Sequence, residues 1–363
     1  MQILKKILIF LIGTFLILFI TSLFLPNIKT AYIKQALPIF IKQEKEISQQ
    51  ASMIAVGDIM LSRGVASKIK KYDNFDYPFL KLKEILKSVD FNFANLESPI
   101  IAGQAINTGQ MIFRADPGIE KNLKENNFSI FSLANNHMPN FGAHGIENTI
   151  KLLNEQNIKY CGAGENENTA YAPAYLEVNG IKFAFLCFND SDVVPISYMA
   201  GASSYGTAFM DIKKLQESIK IARENSDFVI ISMHSGTEYV NDPNKRQIEF
   251  AHNAIDFGAD LIIGHHPHVV QTIEKYKDKY IFYSLGNFIF DQMWSQETKE
   301  GLIVKFIFEK NKNIQFSIIP IVIEDYSQPR LANEEESTKI LKRLKYDIVK
   351  DLNFSQYKKK DNN

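Results

Sequence analysis

Three of the seven histidines in this chain, His265, His266 and His268, fall within four residues at the end of an apolar run. A His-x-His pair at the mouth of a strand aims two imidazoles at one spot, a donor set suited to a borderline divalent cation such as zinc, manganese or iron. Pro267 stiffens the turn between them. Four other apolar runs end in residues of ligand type: Gly57-Asp58, Asn95-Leu96-Glu97, Asn135-Asn136-His137 and His234-Ser235-Gly236-Thr237-Glu238. Asp58 and Glu97 offer carboxylates, Asn136 an amide oxygen, and His137 and His234 imidazoles. Glu97 stands two residues after Asn95, so both side chains leave the same face of a strand. Glu238 and Tyr239 add an acid and a hydroxyl next to His234. Each group alone is an ordinary turn, cap or loop residue. Five such endings in one domain point to a metal-centred active site. Arg63 and Arg114 are candidates for bidentate capture of a phosphate or carboxylate, with surface ion pairs as the alternative; Asn287 and Asp291 are candidates to line the pocket.

The elements that must carry these residues alternate from residue 52 onward. Short apolar runs at 53–56, 91–96, 129–134, 228–233, 261–263 and 280–285 read as strands buried on both faces. Helical spacing appears at 79–87, 116–126, 143–156, 211–225 and 244–257. Residues 175–178 and 181–187 flank Asn179-Gly180, which favours a type I′ hairpin turn. The runs 302–308 and 314–323 flank Asn311-Lys312-Asn313 as a second hairpin, and 334–350 reads as a terminal helix. Polar residues gather at the C-terminal ends of the strands, where α/β sheets place their sites. The late hairpins predict a second sheet or a mixed edge.

Ahead of this region, Lys5 and Lys6 precede an uncharged run at 7–25 that closes at Pro26. Nineteen helical residues span ~28 Å, close to the ~30 Å of a hydrocarbon core. No small-x-small cleavage site follows, so the run reads as a single-pass signal anchor at the cell membrane, with the rest of the chain extracytoplasmic. This divides the chain into a start and anchor at 1–25, a stalk at 26–50, a domain at 51–330, and a C-terminal helix and disordered tail at 331–363. Lys plus Arg equals Asp plus Glu at 41 each, so no basic field argues for a nucleic-acid partner. The two cysteines, Cys161 and Cys187, lie in apolar surroundings and read as reduced core thiols, with a disulfide outside the cell as the alternative.

The phrases around these residues resemble the poly-γ-glutamate capsule-biosynthesis (CapA) family of the metallophosphatase superfamily, over residues 52–325. They are VGDIMLSR at 56–63, NLESP at 95–99, LANNH at 133–137, GAGEN at 162–166, HSGTEY at 234–239, GADLIIGHHPHVVQ at 258–271 and YSLGNFIFD at 283–291. The resemblance implies an α/β fold of four layers, α/β/β/α, behind one transmembrane helix. It implies one or two divalent ions (manganese, zinc or iron) held by Asp58, Glu97, Asn136, His234, His266 and His268. His137 becomes the candidate catalytic acid, with Glu238 beside it, and His265 a supporting residue. Three positions depart from the superfamily pattern. Met60 stands where a histidine follows the first aspartate, Met138 replaces an acid after His137, and Asn140 replaces an expected aspartate. These departures predict a looser first ion and an imidazole at His137 without its orienting partner.

Three functions are compatible with this fold, which by itself does not choose among them. One is a membrane-anchored protein of poly-γ-glutamate synthesis or export with a metal-dependent hydrolase site, acting on an anionic γ-glutamyl polymer beside other membrane components. The second is an extracytoplasmic metal-dependent phosphodiesterase acting on a phosphoester. The third is a non-catalytic polymer-binding scaffold.

Overall fold

The structure, a computed structural model, describes residues 49–345. The apolar run at 7–25, the stalk up to residue 48 and the lysine-rich tail lie outside the described residues, and Gln50, placed at the end of the stalk, opens the first strand. Among the described residues, no helix is long and apolar enough to cross a membrane.

In chain order the first strands are β1 (Gln50–Ile59), β2 (Phe91–Leu96), β3 (Phe128–Ser132), β4 (Lys159–Cys161), β5 (Ala163–Gly164), β6 (Ala174–Val178), β7 (Ile181–Asn189) and β8 (Gly206–Thr207). They continue with β9 (Phe228–His234), β10 (Leu261–His265), β11 (Ile273–Tyr276), β12 (Lys279–Phe282), β13 (Asn287–Ile289), β14 (Glu300–Glu309), β15 (Ile314–Glu324) and β16 (Gln328–Leu331). The longer helices are α1 (Arg63–Tyr72), α2 (Ile119–Glu125), α3 (Gly142–Glu155), α4 (Ile212–Glu224), α5 (Lys245–Asp256) and α6 (Glu334–Arg343).

One sheet runs β16-β15-β14-β1-β2-β3-β4, with β13 also paired to β1. Its β1 to β4 are parallel, and the β14–β15 hairpin joins antiparallel to β1. The second sheet runs β11-β12-β10-β9-β7-β6, parallel at its centre and antiparallel at both edges. The late hairpin therefore extends the first sheet rather than building one of its own.

Strand period two sorts the apolar side chains into layers. From β1, Met53 and Ala55 join Phe183 and Phe185 of β7 and Phe228 and Ile230 of β9 in the core between the sheets. The alternate residues Ile54 and Val56 face outward, where Val65, Ile119, Leu123, Ile146 and Leu153 cover them from α1, α2 and α3. On the far side, Val229, Ile231 and Met233 pack under Leu215 and Ile219 of α4 and Phe250, Ala251 and Ala254 of α5. The layers run helix, sheet, sheet, helix. From α6, Ile340 and Leu341 join the inter-sheet core, which makes that helix part of the body rather than an appendage.

Three expectations change. Residues 79–87 form only a short 3₁₀ turn, Tyr77–Phe79, and one helical turn, Lys83–Leu86; Phe79, Leu82 and Leu86 are buried at helical spacing, which is why the segment reads as longer. The run at 280–285 ends as a strand at Phe282. The chain then crosses to the other sheet, where Asn287 pairs with Asp58 at the start of β13. Cys161 and Cys187 are not free thiols: they form a disulfide linking β4 of one sheet to β7 of the other.

Candidate metal centre

Strand register assembles the site. In the first sheet Asp58 stands opposite Asn95 on one side and Asn287 on the other, and Asn95 stands opposite Ser132. In the second, His265 stands opposite His234, which stands opposite Asn189. Both rows lie at the C-terminal ends of central strands. The close approach needs glycine: a Cβ on Gly57 would lie 1.9 Å from the Gly286 carbonyl oxygen, and one on Gly264 would lie 1.9 Å from that of Tyr283. Past β10 the chain turns with positive φ at His266 (97°) and His268 (57°). Non-glycine residues rarely adopt such φ values, and those that do concentrate at functional sites.

Seven of the ligand-type residues lie in one cluster. Asp58, Glu97 and His268 present one donor atom each, all within 4.8 Å of one another. Glu238, His266 and His268 do the same. The His234 Nε2 atom lies 3.0 Å from Asn136 Oδ1 and 3.2 Å from His266 Nδ1, which brings Asn136 and His234 to the second group. Glu97 Oε1 faces His268 Nε2 at 3.7 Å and His137 Nε2 at 3.9 Å. That oxygen is buried with no hydrogen-bond partner, a costly arrangement for a carboxylate unless a cation or proton occupies the space. Carboxylate, amide and imidazole donors around such an orphaned oxygen fit a borderline divalent ion. Met60 contributes nothing here, because its side chain belongs to the core under the outer helices.

Two asparagines fix imidazole tautomers. Asn287 Nδ2 donates to the Thr298 carbonyl (2.9 Å) and to Gln292 Oε1 (3.1 Å), so its Oδ1 must accept from His268 Nδ1–H at 3.0 Å. That leaves the Nε2 lone pair of His268 facing Glu97. Asn140 Oδ1 accepts the Phe113 backbone N–H at 2.7 Å, so it also accepts from His137 Nδ1–H at 3.0 Å. His137 thus has an orienting partner, contrary to expectation: Asn140, one 3₁₀ turn on (Met138–Phe141), replaces the missing acid. Phe113 stacks on the His137 ring at 3.7 Å between centroids.

A ladder of amides not singled out as site residues ties the strand ends together. Asn135 Oδ1 accepts the backbone N–H groups of His137 and Met138, and its Nδ2 donates to Asn95 Oδ1. Asn95 Nδ2 in turn reaches Asp58 Oδ1 at 2.8 Å and lies 3.3 Å from both Glu97 Oε2 and His234 Nδ1. The signal was the strand-face spacing of Asn95 and Glu97. Behind His234, Ser235 donates to buried Asp190, which Arg246 also holds.

Electrostatics follow burial. Burial works to raise the pKa of Asp58, but the neighbouring His265 and His268 rings, 3.3 and 3.5 Å from its carboxylate, hold it well below the usual carboxylate value. Glu97 is pushed well above its usual value by burial and by the charges of Asp58 and Glu238. Burial lowers His137 and His266 to about 3 and takes His234 well below its usual value. Burial therefore favours the neutral imidazole at His137, His234 and His266, while Asp58 is biased toward its charged form and Glu97 toward its protonated one. His137, expected to arrive as a protonated acid, is neutral at neutral pH.

The remaining candidates stand outside this cluster or behind it. His265 Nδ1 is 3.3 Å from Asp58 Oδ1, and its ring lies near Phe93 between the sheets. Arg63 pairs with Asp291 in a buried bridge, donates to the Gln110 carbonyl and lies over Phe113; Asp291 also accepts the Gly64 N–H. Arg114 donates to the carbonyls of Ile101, Gly103 and Gln104 and to Asp116. Both arginines, read as anion-binding or ion-paired side chains, make ion pairs and hold loops, buried rather than on the surface.

Fold and cluster define a two-sheet α/β protein with a carboxylate–amide–imidazole centre at its strand ends. Residues 52–292 match the family described as bacterial capsule synthesis protein PGA_cap, and the chain belongs to that family. It is 34% identical over 321 residues to the capsule biosynthesis protein CapA of Bacillus anthracis, covering 85% of this chain and 76% of that one. It is 33% identical over 303 residues to the PGA biosynthesis protein CapA of Bacillus subtilis, covering 83% and 78%. Among solved structures it overlaps the calcineurin-like phosphoesterase YfkN of Bacillus subtilis at 15% identity and a TM-score of 0.42, covering 79% of this chain and 89% of that one.

Proposed function

We propose that this protein takes part in making or exporting poly-γ-glutamate, as a membrane-anchored protein with a metal-dependent hydrolytic site of metallophosphatase type. The observation that carries the metal reading is the orphaned, buried Glu97 Oε1, facing His268 and His137 and flanked by Asp58. Asp58, Glu97 and His268 would hold one divalent ion; Asn136, His234, His266 and Glu238 would hold a second. A divalent ion supplies a Lewis acid that polarises the reacting carbonyl or phosphoryl oxygen and acidifies water. The protein's own part is to keep the His137, His234 and His266 imidazoles neutral and to fix the His268 and His137 rings through Asn287 and Asn140. With its Nδ1–H on Asn140, His137 presents a lone pair at Nε2. That lone pair takes a proton from the attacking group and returns it to the leaving group, an exchange typically worth ~10²–10⁴-fold in rate. Residues 7–25 serve as the anchor, and the domain works outside the cytoplasm. The Cys161–Cys187 bond supports that location, since disulfides persist chiefly in oxidising compartments.

The test is metal content of the purified protein, with hydrolysis of a γ-glutamyl polymer and of a generic phosphodiester as assays. His266→Ala is expected to lose metal and turnover together, and His137→Ala to lose turnover while keeping metal. A wild-type protein that binds no divalent ion would end the metal reading. Turnover of the diester alone assigns a phosphodiesterase; metal binding with no turnover assigns a scaffold.

A further inference from the structure

Arg63 and Arg114 are engaged in loops, and a group of lysines gathers at the opposite pole, where the strands begin. Asp227 precedes β9, Asp260 precedes β10, Lys279 opens β12, and Lys310 and Lys312 lie at the β14–β15 turn. The candidate metal ligands follow the far ends of β9 and β10, and a seven-residue strand such as β9 puts the two poles roughly 20 Å apart. Lys275, Lys279, Lys312, Asp260, Asp278 and Asn313 line a cleft of about 200 Å³.

The charges in and behind this cleft do not balance. Arg223 pairs with Asp260, and Lys279 donates to the same carboxylate at 2.9 Å. Lys310 reaches Asp227 Oδ2 at 2.5 Å. Lys312 Nζ (2.6 Å) and Arg223 Nη1 (2.9 Å) both donate to one neutral oxygen, the main-chain carbonyl of Asp227. Lys275 pairs with Asp278 at 3.0 Å. In the interlocked part, four cations, Arg223, Lys279, Lys310 and Lys312, share two carboxylates, a surplus of two positive charges. Burial and the Arg223 charge lower the pKa of both Lys279 and Lys312, as expected of cations held together without enough counter-charge.

We infer that this cleft is a second binding site, for a carboxylate or phosphate group of an anionic ligand, separate from the metal centre. The space admits one such group, and an anion there supplies the counter-charge to Lys279 and Lys312 that the neutral Asp227 carbonyl does not. The inference stands on this geometry alone and does not depend on the metal reading.

The test is calorimetric titration of the metal-stripped full-length protein at low salt, with a short γ-glutamyl oligomer in one arm and inorganic pyrophosphate in the other. Binding in at least one arm is expected. It should weaken at least tenfold in Lys279→Gln/Lys312→Gln and in Lys312→Glu, and fall steeply with added salt. Lys312 is on an exposed turn, so Lys312→Glu should melt like wild type and keeps the test valid if the double variant does not fold. Binding of the oligomer alone assigns a polymer carboxylate, and of pyrophosphate alone a phosphate group. No binding in either arm, or binding unchanged in a folded Lys312→Glu protein, overturns the inference.

Discussion

Asn287 offers the sharpest test of how the centre is held, because it touches no proposed substrate and yet decides which nitrogen of His268 is free. Its buried amide makes three contacts the argument depends on: to His268 Nδ1 at 3.0 Å, the Thr298 carbonyl at 2.9 Å and Gln292 Oε1 at 3.1 Å. Asn287→Leu removes all three and leaves a buried imidazole N–H and a buried carbonyl unsatisfied, each costing about 1–3 kcal/mol. The expected destabilisation is therefore roughly 2–6 kcal/mol. Losing the group that orients a ligating histidine typically weakens metal binding ~10–100-fold. Asn287→Asp separates the two effects: it still accepts from His268 Nδ1–H but cannot donate to Thr298 or Gln292. It should lose stability while keeping metal affinity near wild type. Urea unfolding reads stability, and competition with a chelator of known affinity reads metal binding. If a folded Asn287→Leu protein binds metal as tightly as wild type, His268 is not a ligand through Nε2 and the assignment of the first ion fails.

Two further outcomes follow. The Cys161–Cys187 disulfide closes a 26-residue separation, for which chain entropy gives ~3.5 kcal/mol of stabilisation; Cys161→Ala/Cys187→Ala should lower the urea midpoint by about 1 M, and labelling of two free thiols in the unfolded, unreduced protein would refute the bond. In the metal-free protein, His137 and His266 fall from 6.5 to about 3, so the folded state resists their protonation. The stability they confer is present above pH 6.5 and is lost as pH falls from there toward 3, at about 1.4 kcal/mol per pH unit for each histidine. His137→Gln should flatten that slope by one proton in urea midpoints measured across the window, and an unchanged slope would contradict the burial argument.

Much of this arrangement was legible from residue types at the ends of apolar runs. Asp58, Glu97, His234 and His266-Pro267-His268 stand where strands end, and strand ends in parallel sheets converge. Period two also located the faces, since Met53 and Ala55 part from Ile54 and Val56 as alternation demands. Other features were not legible because they arise only when distant segments meet. The chain changes sheets between Phe282 and Asn287, and no local pattern marks that crossing. The roles of Asn140 and Asn287 depend on which backbone groups they find, the Phe113 N–H and the Thr298 carbonyl. Arg63 and Arg114 read as ligand-binding because an arginine's partners are invisible until the loops close around it. The cysteines read as thiols for a similar reason: β4 and β7 belong to different sheets, and only the stacking of those sheets brings Cys161 to Cys187.

The departures from the superfamily pattern acquire a physical meaning in this light. In the proposed site, Met60 in place of histidine would leave the first ion one donor short, while the Met60 side chain packs into the core under the outer helices and its sulfur accepts the Ser62 N–H. Asn140 in place of an acid keeps the acceptor for His137 Nδ1–H but withholds the negative charge that would raise the ring's proton affinity. In the proposed site both changes would act in one direction, toward fewer ligands for the first ion and an imidazole that stays neutral. A neutral His137 would be suited to accepting a proton before it donates one. The order of those transfers, more than the list of ligands, is what should distinguish this centre from metallophosphatase sites with a full ligand set.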